Sequence, residues 1–209
     1  EQVSIDEAFF DVTPGRFSRE NPIEICRRVQ TRVAALGVSC SIGLGVNKTV
    51  AKIASERDKP RGLTVVFPGT QASFLAPLPV GAMSGVGPAT EKRLATMGIH
   101  TLGDLARAST SELRAALGVT GPRLVERAAG LETSHVTERA MPEEVKSVSN
   151  ERTFDHDLTR GDEVRAAVLH IAAMTGRRLR RKGLEGSTVT LKLRYADLHV
   201  RTAQRQLPS

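Results

Sequence analysis

LPVGAMSGVGPATEKRLATMGIHTLGDLA, residues 78–106, is the stretch from which the rest of the chain is read. Gly85-Val86-Gly87 has the composition of a tight turn, and Pro88 suits the first position of a helix, where its missing N–H would have no partner anyway. Backbone N–H groups of such a turn and helix start point outward and form a nest for a phosphate. Leu94, Met97-Gly98-Ile99 and Thr101-Leu102-Gly103-Asp104-Leu105 continue the pattern as helix, Gly98 turn and a further helix. The order helix, hairpin, helix fits a helix-hairpin-helix that holds a DNA backbone without reading its bases. An ordinary corner between two helices is the alternative. Gly118-Val119-Thr120-Gly121-Pro122-Arg123 looks like a degenerate second copy.

Around this motif, apolar residues from Pro68 to about Glu138 fall at helical spacing, broken by short glycine turns, so residues 68–138 read as a small all-helical domain. Residues 1–67 before it alternate strand and helix, as an α/β layer does. Residues 2–12, QVSIDEAFFDV, read as strand, bend, strand with Asp6-Glu7 at the bend. A helix over 20–36 follows, with Pro22 near its start and Gly37 as its stop. The pattern continues as a strand over 38–45, a helix capped by Asn47 and running to Arg57, a turn at Lys59-Pro60-Arg61-Gly62 and a strand over Leu63–Phe67. On the other side, residues 139–145, RAMPEEV, read as a linker. Beyond it, Lys146–Phe154 suits a strand and Arg160–Lys182 a long helix with Val164, Val168, Ile171, Thr175 and Leu179 along one face. Ser187–Tyr195 and His199–Leu207 suit two more strands. The fold class is therefore α+β and multidomain, ending in a βαββ unit.

The chain has 209 residues, with Lys plus Arg 30, Asp plus Glu 23, a formal net charge of +7, 3% aromatics and no Trp. The basic excess favours a polyanionic partner, and scarce aromatics exclude base stacking as the main binding device. No apolar run reaches the ~18–20 residues of a membrane helix, and no signal peptide opens the chain. Cys26 and Cys40 are too few for a disulfide framework and sit in apolar surroundings, as buried free thiols do. Glu1 in place of Met, leading straight into a strand-like stretch, reads as the start of a fragment.

Asp6 and Glu7 are adjacent carboxylates among Phe9, Phe10 and Val12. Regular strand side chains alternate faces, so both reach one ion only if the backbone bends between them. A semi-buried pair of like charges needs a cation, and Mg²⁺ takes carboxylate and phosphate oxygens. An exposed acidic turn is the other reading. Lys48, Lys52, Arg57, Lys59 and Arg61 form a basic cluster in which a lysine could meet a triphosphate. Arg177, Arg178, Arg180, Arg181 and Lys182 form another, which also suits the C-terminal end of a helix.

Together, SIDEAFFDVT (4–13), CSIGLGVNKTVAKIASERDKPRGLTVV (40–66), the opening stretch, KSVSNERTF (146–154) and LRYADLHVRTAQRQLP (193–208) resemble the Y-family translesion DNA polymerases of the DNA polymerase IV (DinB-like) branch. The resemblance covers essentially the whole chain, in order. It implies a partial palm over 1–67, a thumb over 68–138 and most of a little finger over 146–209. The first metal-binding Asp and the fingers would then lie upstream of Glu1, and the end of the little finger would be missing. By the same resemblance, Asp6 bridges two Mg²⁺ ions and Glu7 holds the one at the primer end. Lys59 contacts the incoming deoxynucleoside triphosphate. Gly85, Val86 and Gly87 hold primer-strand phosphates, and Lys146, Ser147, Arg152, Thr202 and Arg205 line the little-finger sheet against the template. Thr202-Ala203-Gln204-Arg205 stands where the family has Thr/Ser–x–Ser–Arg. The implied activity is damage-tolerant DNA synthesis in the bacterial cytoplasm, at the nucleoid, with a sliding clamp as partner and with this fragment inactive alone. A non-catalytic DNA-binding scaffold of the same family is the alternative.

Overall fold

The computed structural model describes residues 1–16, 18–137 and 145–207. The linker expected over 139–145 therefore lies outside the described residues except for Val145. The chain divides into two compact units, 1–140 and 141–209.

In unit 1, α1 (Pro22–Ala34) starts where Asn21 accepts from the Ile23 amide at 2.9 Å, with Pro22 in its first turn. It buries Cys26. Gln30 fastens α1 to the neighbouring strands by donating to the carbonyls of Cys40, Arg61 and Gly62 at 3.0–3.3 Å. β1 (Ile42–Leu44) and β2 (Leu63–Val65) pair in parallel, Gly43 opposite Thr64, and are shorter than the sequence suggests. α2 (Lys48–Arg57) joins them, capped by Asn47, whose side chain accepts from the Val50 amide at 3.0 Å. β1 lies so close beneath α2 that a Cβ at Gly43 would stand 1.9 Å from the Ala51 carbonyl oxygen. Only glycine permits that approach.

In place of the two strands expected over 2–12, residues 1–9 form a hairpin with one antiparallel bridge, Gln2 to Ala8. Phe9 N–H donates to the Glu1 carbonyl at 2.7 Å, and Val3 N–H to the Glu7 carbonyl at 2.9 Å. No third strand pairs with this ribbon among the described residues, and a two-stranded ribbon alone is marginal.

The helical segment runs α3 (Gln71–Leu75), a 3₁₀ turn at Val80–Ala82, α4 (Pro88–Thr96), α5 (Leu102–Arg107), α6 (Thr110–Leu117) and α7 (Thr120–Ala128). The element directly before the Gly85 hairpin is thus the 3₁₀ turn, not a full helix. Thr101 and Asp104 make a capping box at the start of α5. Leu75, Val80, Met83, Leu94, Leu102, Leu105, Leu113 and Leu124 are buried, and their cluster continues without a break into Val50, Ile53, Ala54 and Val66. The α/β segment and the helices therefore share one hydrophobic core.

Unit 2 holds α8 (Gly161–Lys182) and the antiparallel pair β3 (Thr188–Arg194) and β4 (Val200–Gln206). Val164, Val168, Ile171, Thr175 and Leu179, the expected stripe of α8, are its half-buried side. Asp162 and Glu163 in its first turn and Arg180, Arg181 and Lys182 in its last suit the helix dipole. Lys146–Phe154 forms no strand. Side-chain hydrogen bonds to α8 replace the ladder: Asn150 Nδ2 donates to Thr175 Oγ1 at 2.9 Å, and Arg178 donates to the Ser149 carbonyl at 2.7 Å. The expected βαββ order is therefore αββ, with a two-stranded sheet whose residues are all exposed.

Candidate active site and nucleic-acid interface

The hairpin over residues 1–9 lies along the polar face of α2, held there by two ion pairs, Glu1 to Lys48 and Glu7 to Lys52. The Lys48 ammonium also stands 5.8 Å from the centre of the Phe9 ring. Glu1 additionally accepts from the amide and hydroxyl of Thr137 at 2.8 and 2.7 Å. The Lys48 hydrogen bond, then those from Thr137, hold its carboxyl at about 2.

Glu7 is half-buried and Asp6 is exposed, contrary to the expectation of a semi-buried pair. Apolar side chains at the hairpin are uncovered among the described residues: Ile5 at its bend is 99% exposed, and Phe10 just after it 74%. Asp6 accepts from its neighbour Ser4 Oγ at 2.6 Å. Glu7 instead opens a chain of alternating charges. Lys52 donates to Glu7 and, at 2.8 Å, to Glu56, and Glu56 also pairs with Lys59 at 2.7 Å. Burial opposes the Lys52 charge, but donation to Glu56 and Glu7 outweighs it and raises its pKa. Hydrogen bonds from Lys52, then Lys59, lower that of Glu56. The structure thus brings Glu7 and Lys59 onto one charged edge and leaves Asp6 outside it. The spacing of Lys52 and Glu56 on one face of α2, with Lys59 three residues on in the turn that follows, signals their pairing; nothing local signals Glu7.

Among the described residues no group of three or more His, Cys, Asp or Glu side chains gathers as a metal cage. Two adjacent oxygen-donor carboxylates on an accessible hairpin do fit Mg²⁺, which binds through one or two carboxylates and fills its remaining positions with water and phosphate.

In the Gly85 hairpin, Gly85 takes φ +93°, a left-handed conformation natural to glycine. The buried Val86 side chain anchors the turn, and its N–H donates to the Met83 carbonyl at 3.0 Å. Val86 is therefore an anchor, and its amide is not open to a phosphate. The amides of Gly85, Gly87, Ala89 and Thr90 have no acceptor among the described residues and stand at the start of α4. Arg127 of α7, which sequence reading missed, donates from Nη1 to the Ser84 carbonyl at 2.9 Å and from Nε to Thr49 Oγ1 at 2.8 Å. It adds a guanidinium beside the hairpin and ties it to α2. Glu132 accepts from the Thr49 amide at 2.8 Å. Burial opposes its charge, yet the bonds from Thr49 and Ser134 and the nearby Arg127 leave its pKa lowered.

In unit 2, Lys146, Ser147, Arg152, Thr202 and Arg205 are all exposed. Arg152 lies 5.2 Å from the Phe154 ring, and its neighbour Glu151 pairs with Lys192 of β3 at 3.1 Å. Thr202 pairs in register with Lys192, and Arg205 with Val189. Side chains alternate along a strand, so Thr202 and Arg205 project from opposite faces. One face of the sheet brings together Thr190, Lys192, Arg194 and Thr202; Arg205 shares the other with Val189, Leu191 and Leu193. A single template strand on one face cannot meet both.

Residues 1–56 match the model of the impB/mucB/samB family, and residues 145–209 match that of its C-terminal domain, together more than half of the chain. Residues 81–131 match the DNA polymerase-iota thumb domain. The DNA polymerase IV of Lactococcus lactis is 38% identical over 208 residues, 99% of this chain and 56% of that protein. The DNA polymerase IV of Methanoculleus marisnigri is 40% identical over 209 residues, 100% of this chain and 57% of that protein. Among solved structures, a Y-family DNA polymerase chimera of Dbh and Dpo4 superposes with a TM-score of 0.68 at 20% identity, covering 90% of this chain and 53% of that one. The insertion ternary complex of Dbh DNA polymerase gives 0.52 at 19% identity, covering 88% and 52%. The chain spans about half the length of the relatives it matches. Matches along its whole length, in one order and to one group of proteins, show that the chain belongs to the impB/mucB/samB family and is similar throughout to the DNA polymerases IV.

Proposed function

We propose that this chain carries the carboxylates and DNA-holding surfaces of a template-directed, damage-tolerant DNA polymerase. Residues 1–67 serve as palm, 68–138 as thumb, 139–145 as linker and 146–209 as little finger. The observation that supports this best is the charged edge of α2, which joins Glu7 to Lys59 through Lys52 and Glu56. It puts a candidate cation ligand and a candidate triphosphate contact on one continuous face.

In this reading Asp6 and Glu7 hold Mg²⁺, Glu7 on the side of the primer 3′-hydroxyl. Two such ions, when bound, neutralise charge on the attacking and leaving oxygens of nucleotidyl transfer. The chain's own residues do the positioning. Lys59, exposed at the end of the charged edge, offers its ammonium to the deoxynucleoside triphosphate. The amides of Gly85 and Gly87 take primer-strand phosphates, beside the Arg127 guanidinium. The Thr202 face of the β3–β4 sheet, with Lys192 and Arg194, takes the template backbone; Lys146, Ser147 and Arg152 contribute from the neighbouring segment. Base pairing supplies the sequence information, so phosphate contacts suffice. The protein works in the cytoplasm at the nucleoid with a sliding clamp. No helix among the described residues is long and apolar enough to cross a membrane.

Primer extension by the intact protein tests the assignment. Glu7→Ala should lower incorporation by about a hundredfold or more, the scale on which removing a group that stabilises transition-state charge acts, with the melting temperature little changed. Near-normal extension would reject the role of Glu7; DNA binding without any extension by the unmutated intact protein would favour the DNA-binding scaffold. The 209-residue chain alone should bind primed DNA without extending it.

A further inference from the structure

The Lys52 ammonium sits between two carboxylates from different parts of the chain. It donates to Glu7 on the N-terminal hairpin and to Glu56 one turn further along α2, the latter at 2.8 Å. The Lys52 side chain is 28% exposed, the most shielded group of the ladder. A shielded ammonium on a carboxylate opposes a divalent cation there in two ways: it cancels the attracting charge and it repels the ion. Glu56, at the i+4 position, can keep the ammonium with α2 unchanged, because residues four apart on a helix are neighbours.

We propose that Lys52 is a positioning residue that controls the availability of Glu7. It occupies the Glu7 carboxylate until a divalent cation claims it, and Glu56 is the second seat to which the ammonium withdraws. This inference rests on the reading of Glu7 as a metal ligand. Glu56 then acts on Glu7 only through Lys52. Loss of Lys52 should favour the cation, and loss of Glu56 should pin the ammonium on Glu7 and disfavour it.

The test is Mn²⁺ binding to the intact protein without DNA or nucleotide, followed by the electron paramagnetic resonance of the free ion. Lys52→Met should tighten binding roughly 2- to 5-fold, and Glu56→Gln should weaken it by a similar factor, the scale of a partly exposed ion pair. Lys52→Arg should stay near the wild type. In the Lys52→Met background, Glu56→Gln should change nothing, the coupling that a double-mutant cycle isolates. Lys52→Gln serves where Lys52→Met fails to fold. Mn²⁺ binding that is lost in Glu7→Ala, with the Lys52 and Glu56 effects absent or simply additive, would overturn the inference alone. Mn²⁺ binding that survives Glu7→Ala would overturn the reading of Glu7, and the inference with it.

Discussion

Arg127 makes two hydrogen bonds that span 78 and 43 residues of chain, to Thr49 and to the Ser84 carbonyl. Thr49 is 3% exposed, so its hydroxyl has no water to turn to when Arg127 is removed. Arg127→Met should therefore destabilise unit 1 by about 1–3 kcal/mol, the cost of stranding a buried polar group, read as a lower urea midpoint. Nothing in the sequence marks this residue, because a side chain's partners at such distances are set by packing. Asn47 is the opposite case: its partner is three residues away, and the cap is legible at once. The placement of Thr202 and Arg205 is legible in the same local way. Three residues apart on one strand means opposite faces, whatever the fold.

At the scale of the element, α2 is fixed at its start by acceptors from its own cap and from beyond α7. Asn47 Nδ2 donates to the Gly130 carbonyl at 2.8 Å, and Glu132 accepts from the Thr49 amide. A carboxylate at a helix N-terminus is also favoured by the dipole. Glu132 ionises below its ordinary value of 4.5 in the fold. The unfolded chain then binds the proton first as pH falls, so the stability it contributes is present above about 4.5 and lost on acidification through the folded value. The urea midpoint of unit 1 should stay level from neutral pH down to that point and then decline. Glu132→Gln should start lower and decline less steeply. Other elements resisted the sequence for physical reasons. Residues 146–154 have strand composition but spend their polar groups on α8, and residues 2–12 have strand composition without a neighbour to extend the ladder of their hairpin.

Across the whole molecule the two units differ in how much they bury. Unit 1 has a continuous core of leucines and valines reaching from α2 to α7, whereas α8, β3 and β4 contain no buried residue. Protection against amide exchange follows buried contacts. Hydrogen exchange should accordingly be slow in α2, α5 and α7 and fast in α8, β3 and β4; equal protection in both units would contradict this account. Fold class and the order of segments were legible because periodicity and glycine turns are local. The shared core across residue 67 was not, since no composition change marks where one packed layer passes into the next. The proposed DNA binding belongs to this scale too. Each phosphate neutralised should contribute about −0.9 to the slope of log K against log salt. Gly87→Ala should weaken all sequences alike.

Residues 130–137 have a practical meaning for anyone dividing this protein. The last helix of unit 1 ends at Ala128, which looks like a natural place to cut. A piece ending there would leave the first turn of α2 without the Gly130 carbonyl and Glu132, and would take from Glu1 the two donors of Thr137. The working boundary for expression, domain exchange or isotope labelling lies after Thr137, where these irregular residues clasp the N-terminal hairpin and α2 together.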